Sequence, residues 1–302
     1  MPKVRTSQNL RLHDPFQKEE ARGLMFAKYA SSFGLKKVIV VATQTQMRCQ
    51  EGDSSLPAAK LLESSSLKMV GVGVSSLVRE MCDEVEWFLR TSGFSIVSTP
   101  EIETEKNNFD VLNIPNQHPS RSSQDSYFLD VWGPEGRPLL LRTHLSASHQ
   151  HFLMMRMPPL KMASIGKVFR KDDDSDHLPM FHQVEGLWID EALNVCQLRT
   201  LLFSLLNVLF ENANLFYRLR SSHFPFTAPS FELDIGLPSG SDWLEISGCG
   251  LLRPVVLSNL GVDVRKFSGL AFGLGIERLV MIREKLEDIR SLGNLMQWHN
   301  RR

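Results

Sequence analysis

The residues best suited to chemistry lie in the stretch IGKVFRKDDDSDHLPMFHQVEGLWID, residues 165–190. Its pattern reads as a strand, a polar loop and a return strand. Arg170 closes the first strand, and by period two the second carries Phe181, Gln183 and Glu185 on one face. An arginine there can neutralise a phosphate, the aromatic ring can stack on a base, and the Gln/Glu pair can hold an ammonium group. The same residues would equally make a surface hairpin with a solvated acidic loop. A second stretch, FSGLAFGLGIERLVMI (267–282), sets small residues on a strand that enters a helix near Glu277 and Arg278. Glycines let a ligand approach the backbone closely, and Arg278 points at whatever occupies that surface. Close helix–sheet packing with a surface arginine is the alternative. Two arginine-bearing elements together tip the balance toward a bound triphosphate.

Other chemistries fail on spacing. Asp172, Asp173, Asp174 and Asp176 are acidic enough for calcium. A calcium loop starting at Asp172 needs Gly in sixth place and Glu in twelfth, where His177 and Gln183 stand. Gly273 and Gly275 lack the third glycine of a dinucleotide fingerprint, since Arg278 takes its place, and there is no P-loop. His144, His149 and His151 have no cysteine or carboxylate at ligand spacing, which argues against zinc. Cys49, Cys82, Cys196 and Cys249 are scattered without a CxxC pair, so they read as reduced thiols of a cytoplasmic protein.

These groups need a frame. The chain has 302 residues, and Lys+Arg balance Asp+Glu at 34 each, so no global field draws it to nucleic acid; a local basic stripe would suffice for RNA. No apolar run approaches a membrane span and the start has no signal-peptide stretch, so a membrane partner is not expected. Residues 1–66 read as an amino-terminal extension. Its first 37 residues carry eight Lys/Arg against three acids, as a basic arm or ordinary solvated surface, followed by a strand at 37–42 and a Ser-rich linker at 50–66. Residues 67–302 read as one catalytic domain. A helix capped by Ser76 carries Leu77, Met81, Val85, Phe88 and Leu89 on one face and ends at Gly93. Strands follow at 94–97, 127–131, 139–142, 165–170, 183–189, 231–235 and 243–247. A helix at 195–212 presents Leu198, Leu201, Leu202, Leu205 and Leu209. Strands in succession, with helices flanking rather than alternating, predict an α+β fold with an antiparallel sheet.

GKVFRKDDDSDHLPMFHQVEG resembles motif 2, and SGLAFGLGIERL motif 3, of the phenylalanyl-tRNA synthetase α subunit, a class II aminoacyl-tRNA synthetase. NNFDVLNIPNQHPSR, LLRTHLS, FPFTAPS and WLEISGCGLLRP match the same family in the same order, so the resemblance spans residues 72–290. It implies an antiparallel class II catalytic core that uses ATP and Mg2+ to activate phenylalanine, or a similar aromatic amino acid, and transfers it to tRNA. The implied partner is a β subunit, with a homodimer as the alternative. Residue by residue, it implies Arg170 on the α-phosphate, Arg278 on the γ-phosphate, Phe181 stacked on adenine and Asp172 near its amine. Ser146, Gln183 and Glu185 would hold the ammonium with His144 close by, and Phe224, Phe226, Ala271 and Gly273 would enclose the ring.

The chain also departs from the family. Ala228 stands where the resemblance implies a glutamate that helps hold magnesium shared with the β subunit, so the metal ligands are unknown. His149 stands where it implies a glutamine. The carboxy-terminal SLGNLMQWHNRR differs from the family's ending, the anticodon-binding domain that a single-chain form would need after motif 3 is not expected, and residues 1–66 show no sustained heptads. Two other readings stay open: a paralogue that activates an aromatic amino acid for another acceptor or without a β chain, and a non-catalytic regulatory module.

Overall fold

A computed structural model describes residues 76–172, 177–211, 215–236 and 243–292. The basic arm, the strand expected at 37–42, the linker, most of the acidic run and the last ten residues lie outside them. Residues 76–132 and the described residues from 137 onward form one compact unit.

Helix α1 (Ser76–Thr91) buries Val78, Met81, Val85, Phe88 and Leu89 at helical spacing. Val78 takes the core place expected of Leu77, which is half-buried. Gly93, at φ 88°, then turns the chain through the left-handed region that glycine tolerates best. Short strands follow: β1 (Ser95–Ile96), β2 (Ile102–Thr104), β3 (Phe128–Trp132) and β4 (Pro138–Leu141). Helix α2 (Ser148–Met155) precedes the long hairpin of β5 (Leu160–Phe169) and β6 (Met180–Asp190). Helix α3 (Val195–Leu209) starts in a capping box between Asn194 and Gln197 and buries Leu198, Leu202, Leu205, Leu206 and Leu209. It stops short of the expected Asn212, and Leu201 is only half-buried. The chain continues through β7 (Phe216–Ser222), β8 (Thr227–Gly236), β9 (Trp243–Leu252), α4 (Pro254–Asn259), β10 (Ser268–Gly275) and α5 (Ile276–Glu284).

The large sheet has the order β1-β5-β6-β10-β9-β8-β7, antiparallel throughout except that β1 runs parallel to β5. β2, β4 and β3 form a second, small sheet. Period-two alternation splits the apolar residues between two cores. Val184, Phe272 and Leu274 face α1, α3 and α5, whereas Leu187, Ile189 and Ala271 face α2 and α4. β5 begins five residues before the expected Ile165, because Leu160 and Met162 belong to the second core. β7 and α2 were not expected: one is a polar edge strand, the other a short His-rich helix. Among the described residues, no helix is long and apolar enough to cross a membrane.

The sheet centre is tight where β6 meets β10. Gly186 lies opposite Phe272, and a Cβ at Gly186 would fall 2.1 Å from that ring. The ring is buried and meets Phe94 edge to face at 5.9 Å, so it cannot swing aside. Gly186→Ala is therefore expected to destabilise the fold by about 1–3 kcal/mol through overpacking. A urea midpoint equal to that of the wild type would contradict this.

Candidate active site

A cavity of about 670 Å³ opens on the face of the large sheet that carries the second core, within the range of about 300–1,000 Å³ usual for small-molecule sites. Its wall takes in every residue named above for phosphate, base, ammonium or ring. Side-chain alternation on β6 brings Phe181, Gln183 and Glu185 to that wall together.

Two arginines mark one end. Arg170 follows directly on β5, and its Nε donates to the Thr143 carbonyl at 2.9 Å. Its guanidinium lies 5.3 Å from the centre of the Phe181 ring, in cation–π contact. Burial holds Arg170 below the usual arginine range; nearby Arg278 pushes the same way, while Asp172 and Glu245 oppose them. Two crowded guanidinium groups call for an anion between them. Arg278, in the first turn of α5, donates from Nη1 to the Glu245 carbonyl at 2.8 Å. Its neighbour Glu277 is buried. The His182 backbone N–H donates to both of its oxygens, at 2.9 and 2.8 Å, and His182 Nδ1 lies 2.7 Å from Oε1.

A buried carboxylate marks the other end. Glu185 accepts from Ser146 Oγ at 2.8 Å, and Gln183 Oε1 accepts from the Leu145 N–H at 2.9 Å. Both side chains lie over Gly273, where a Cβ would stand 2.7 Å from Glu185 Oε2 and 2.9 Å from Gln183 Nε2. Glycine at that position is a steric requirement. Half-buried His144 has both ring nitrogens enclosed without a hydrogen-bond partner. Burial, then Arg170 and His149, hold its imidazole down at about 3.

The same wall carries an aromatic niche. Phe224 and Phe226 stack with centroids 5.6 Å apart, and Gly248 of β9 leaves room for Phe224, whose Cζ would stand 3.0 Å from an added Cβ. Buried Ala271 and Cys249 line the same cavity. Burial pushes the Cys249 thiol up to about 12, so it is an apolar wall group and not a nucleophile.

Several wall residues had no role expected from the sequence: Thr143, Cys249 and, above all, Glu277. The only sequence signal for Glu277 is its place beside Arg278. His118 and Ser120, from the segment NNFDVLNIPNQHPSR, also reach the wall. Arg121 anchors that segment through the Asp110 carboxylate at 2.7 Å and the Ile114 carbonyl at 2.6 Å.

Among the described residues the carboxylates do not form a magnesium cage. Ala228 is exposed and has no ligand to offer. Glu232 and Asp234 are paired with Arg220, and Asp234 also with Arg218. Burial, then Glu232, raise the Glu245 carboxyl above its usual range. Among the described residues, no three His, Cys, Asp or Glu side chains gather as metal ligands.

Residues 64–301 match the family of the tRNA synthetases class II core domain (F). The chain is 44% identical over 225 residues to the phenylalanine–tRNA ligase α subunit of Burkholderia pseudomallei (strain 1710b), covering 73% of this chain and 67% of that one. It is 43% identical over 223 residues to the α subunit from Janthinobacterium sp. (strain Marseille), covering 73% and 66%. The fold also resembles the crystal structure of pyrrolysyl-tRNA synthetase from Desulfitobacterium hafniense, with a TM-score of 0.57 at 17% identity over 94% of this chain and 86% of that one.

His144 makes stability depend on pH. Folding lowers its pKa from 6.5 to about 3, so below pH 6.5 the unfolded chain takes up a proton that the folded one refuses. Its contribution is full above 6.5 and is lost as pH falls toward about 3. At about pH 5 the loss is about 2 kcal/mol. Urea unfolding of His144→Gln at about pH 7.5 and 5 should show an acid loss smaller by about that amount. Equal acid losses in variant and wild type would contradict the assignment.

Proposed function

Because this chain belongs to the class II tRNA synthetase core family, among the phenylalanine–tRNA ligase α subunits, we propose that its cavity joins ATP and phenylalanine as phenylalanyl-adenylate and delivers the acyl group to tRNA. The observation that carries this reading is the shared wall of Arg170, Arg278, Phe181 and the buried Glu185.

An oxygen of the amino-acid carboxylate attacks the α-phosphorus, the bond from that phosphorus to the bridging oxygen breaks, and pyrophosphate leaves. Arg170 neutralises the α-phosphate and Arg278 the γ-phosphate, while adenine stacks on Phe181 with Asp172 near its amine. No bond to the protein is needed, because positioning and fixed charge supply the rate. Glu185, Gln183 and Ser146 receive the ammonium group, with His144 alongside. The ring enters the niche of Phe224, Phe226, Ala271 and Gly273, where its burial contributes about 1.5–3 kcal/mol. A tyrosine hydroxyl would find no partner on the apolar floor. A magnesium ion bound to the triphosphate would supply further neutralisation of its charge beside Arg170 and Arg278.

The α-subunit family supports a β subunit as partner. Ala228 removes a metal ligand from the expected bridge to that subunit, which favours the second reading of a chain active without it. Exchange measured with and without a β subunit separates the two.

Arg170→Ala and Arg278→Ala should each lower phenylalanine-dependent ATP–pyrophosphate exchange by about 100- to 1,000-fold, the loss of about 2.7–4 kcal/mol of transition-state stabilisation. Circular dichroism should not change. Rates within about twofold of the wild type in both variants would sink the assignment.

A further inference from the structure

We propose that His149 is a positioning residue that sits behind Glu185 and sets how much negative charge this carboxylate offers to a substrate ammonium. This rests on the reading of Glu185 as the ammonium acceptor.

His149 is the second residue of α2 and only 1% exposed. Both of its ring nitrogens are enclosed and without a hydrogen-bond partner. Leaving such groups unpaired is costly, so their surroundings need an explanation. Nε2 lies 3.2 Å from Glu185 Oε1, close enough for a bond but misaligned for one. That oxygen already accepts from Ser146 Oγ, while Oε2 lies toward Gly273 on the cavity wall. The imidazole is not part of the wall, so it touches Glu185 from behind and acts through it.

Two states of the ring follow. A neutral imidazole with its proton on Nε2 needs only a small tilt to donate to Oε1, which fixes the carboxylate and leaves Oε2 to the ligand. A protonated imidazole forms a buried ion pair with Glu185 and cancels the charge an ammonium needs. The groups facing His149 are Glu185 from β6 and His144 from the turn before α2, with Arg170 beyond His144. On its own helix, Phe152 packs beside the ring, and His151 is held by Glu103. Glu185 is thus the acidic group in reach, and His149 can tune it without meeting the substrate.

His149→Gln separates the two states, since an amide donates but does not titrate. Exchange should be measured on the chain with its β subunit between about pH 8 and 6. In the wild type the KM for phenylalanine should rise about fivefold or more toward acid, with the KM for ATP moving less than about twofold. In His149→Gln the phenylalanine KM should stay flat. Nitrogen-15 NMR of labelled histidines, with the His149 signal identified by its loss in His149→Gln, provides a second reading. Glu185→Gln should move the titration of that signal to lower pH. Identical KM profiles in wild type and His149→Gln, or a titration that Glu185→Gln leaves in place, would overturn the proposal. If phenylalanine supports no exchange in the wild type, the functional reading fails, and the ring titration still decides whether His149 and Glu185 are coupled.

Discussion

The carboxylate of Glu277 is where the two halves of the cavity meet. It is buried and takes the His182 backbone N–H on both oxygens, with His182 Nδ1 at 2.7 Å. A carboxylate shut away from water without such donors would be costly, so this contact fixes geometry as well as satisfying charge. It pins the start of α5, and hence Arg278, near the start of β6. The residues on either side of His182 are Phe181 and Gln183, and Glu185 is one alternation further. One side chain therefore spaces the phosphate end of the site against the ammonium end. The register of β6 on β10, with Glu185 opposite Gly273, completes the frame from within the sheet.

Charge is arranged along that frame with little internal compensation. Two guanidinium groups crowd one end, and a buried carboxylate held by a hydroxyl occupies the other. Between them His144 stays uncharged, because burial and Arg170 both oppose a proton on it. A site of this kind is complementary to a zwitterion joined to a polyphosphate, and its dipoles are fixed before the ligand arrives. The same arrangement makes the protein sensitive to acid, since the imidazole that must stay neutral here is free to charge in the unfolded chain.

Much of this was legible in the residues. Period two on β6 aligned Phe181, Gln183 and Glu185, and the small residues of β10 leave the room that Glu185 and Gln183 fill over Gly273. What stayed hidden was the set of contacts made across long stretches of chain. Glu277 and His182 are 95 residues apart, and nothing local in either says they will bond. Ser146 and Glu185, 39 residues apart, were linked only through resemblance to a family. β7 escaped notice because an edge strand exposed to solvent lacks an apolar run, and α2 because its histidines mask a short buried face. Leu77 and Leu201 pack at the margin of the same core, half-buried, because helical period alone does not say where a stripe is centred.

The claim that one latch sets both ends of the site is open to direct measurement. Equilibrium binding of ATP and of phenylalanine should be determined by calorimetry for Glu277→Gln and wild type, with thermal unfolding recorded alongside. The isosteric amide loses a charged acceptor for His182 while keeping its volume. Both affinities should fall together, by about tenfold or more each, or about 1.4 kcal/mol, in a protein that remains folded. Unchanged affinity for both ligands, or a loss confined to ATP, would contradict it.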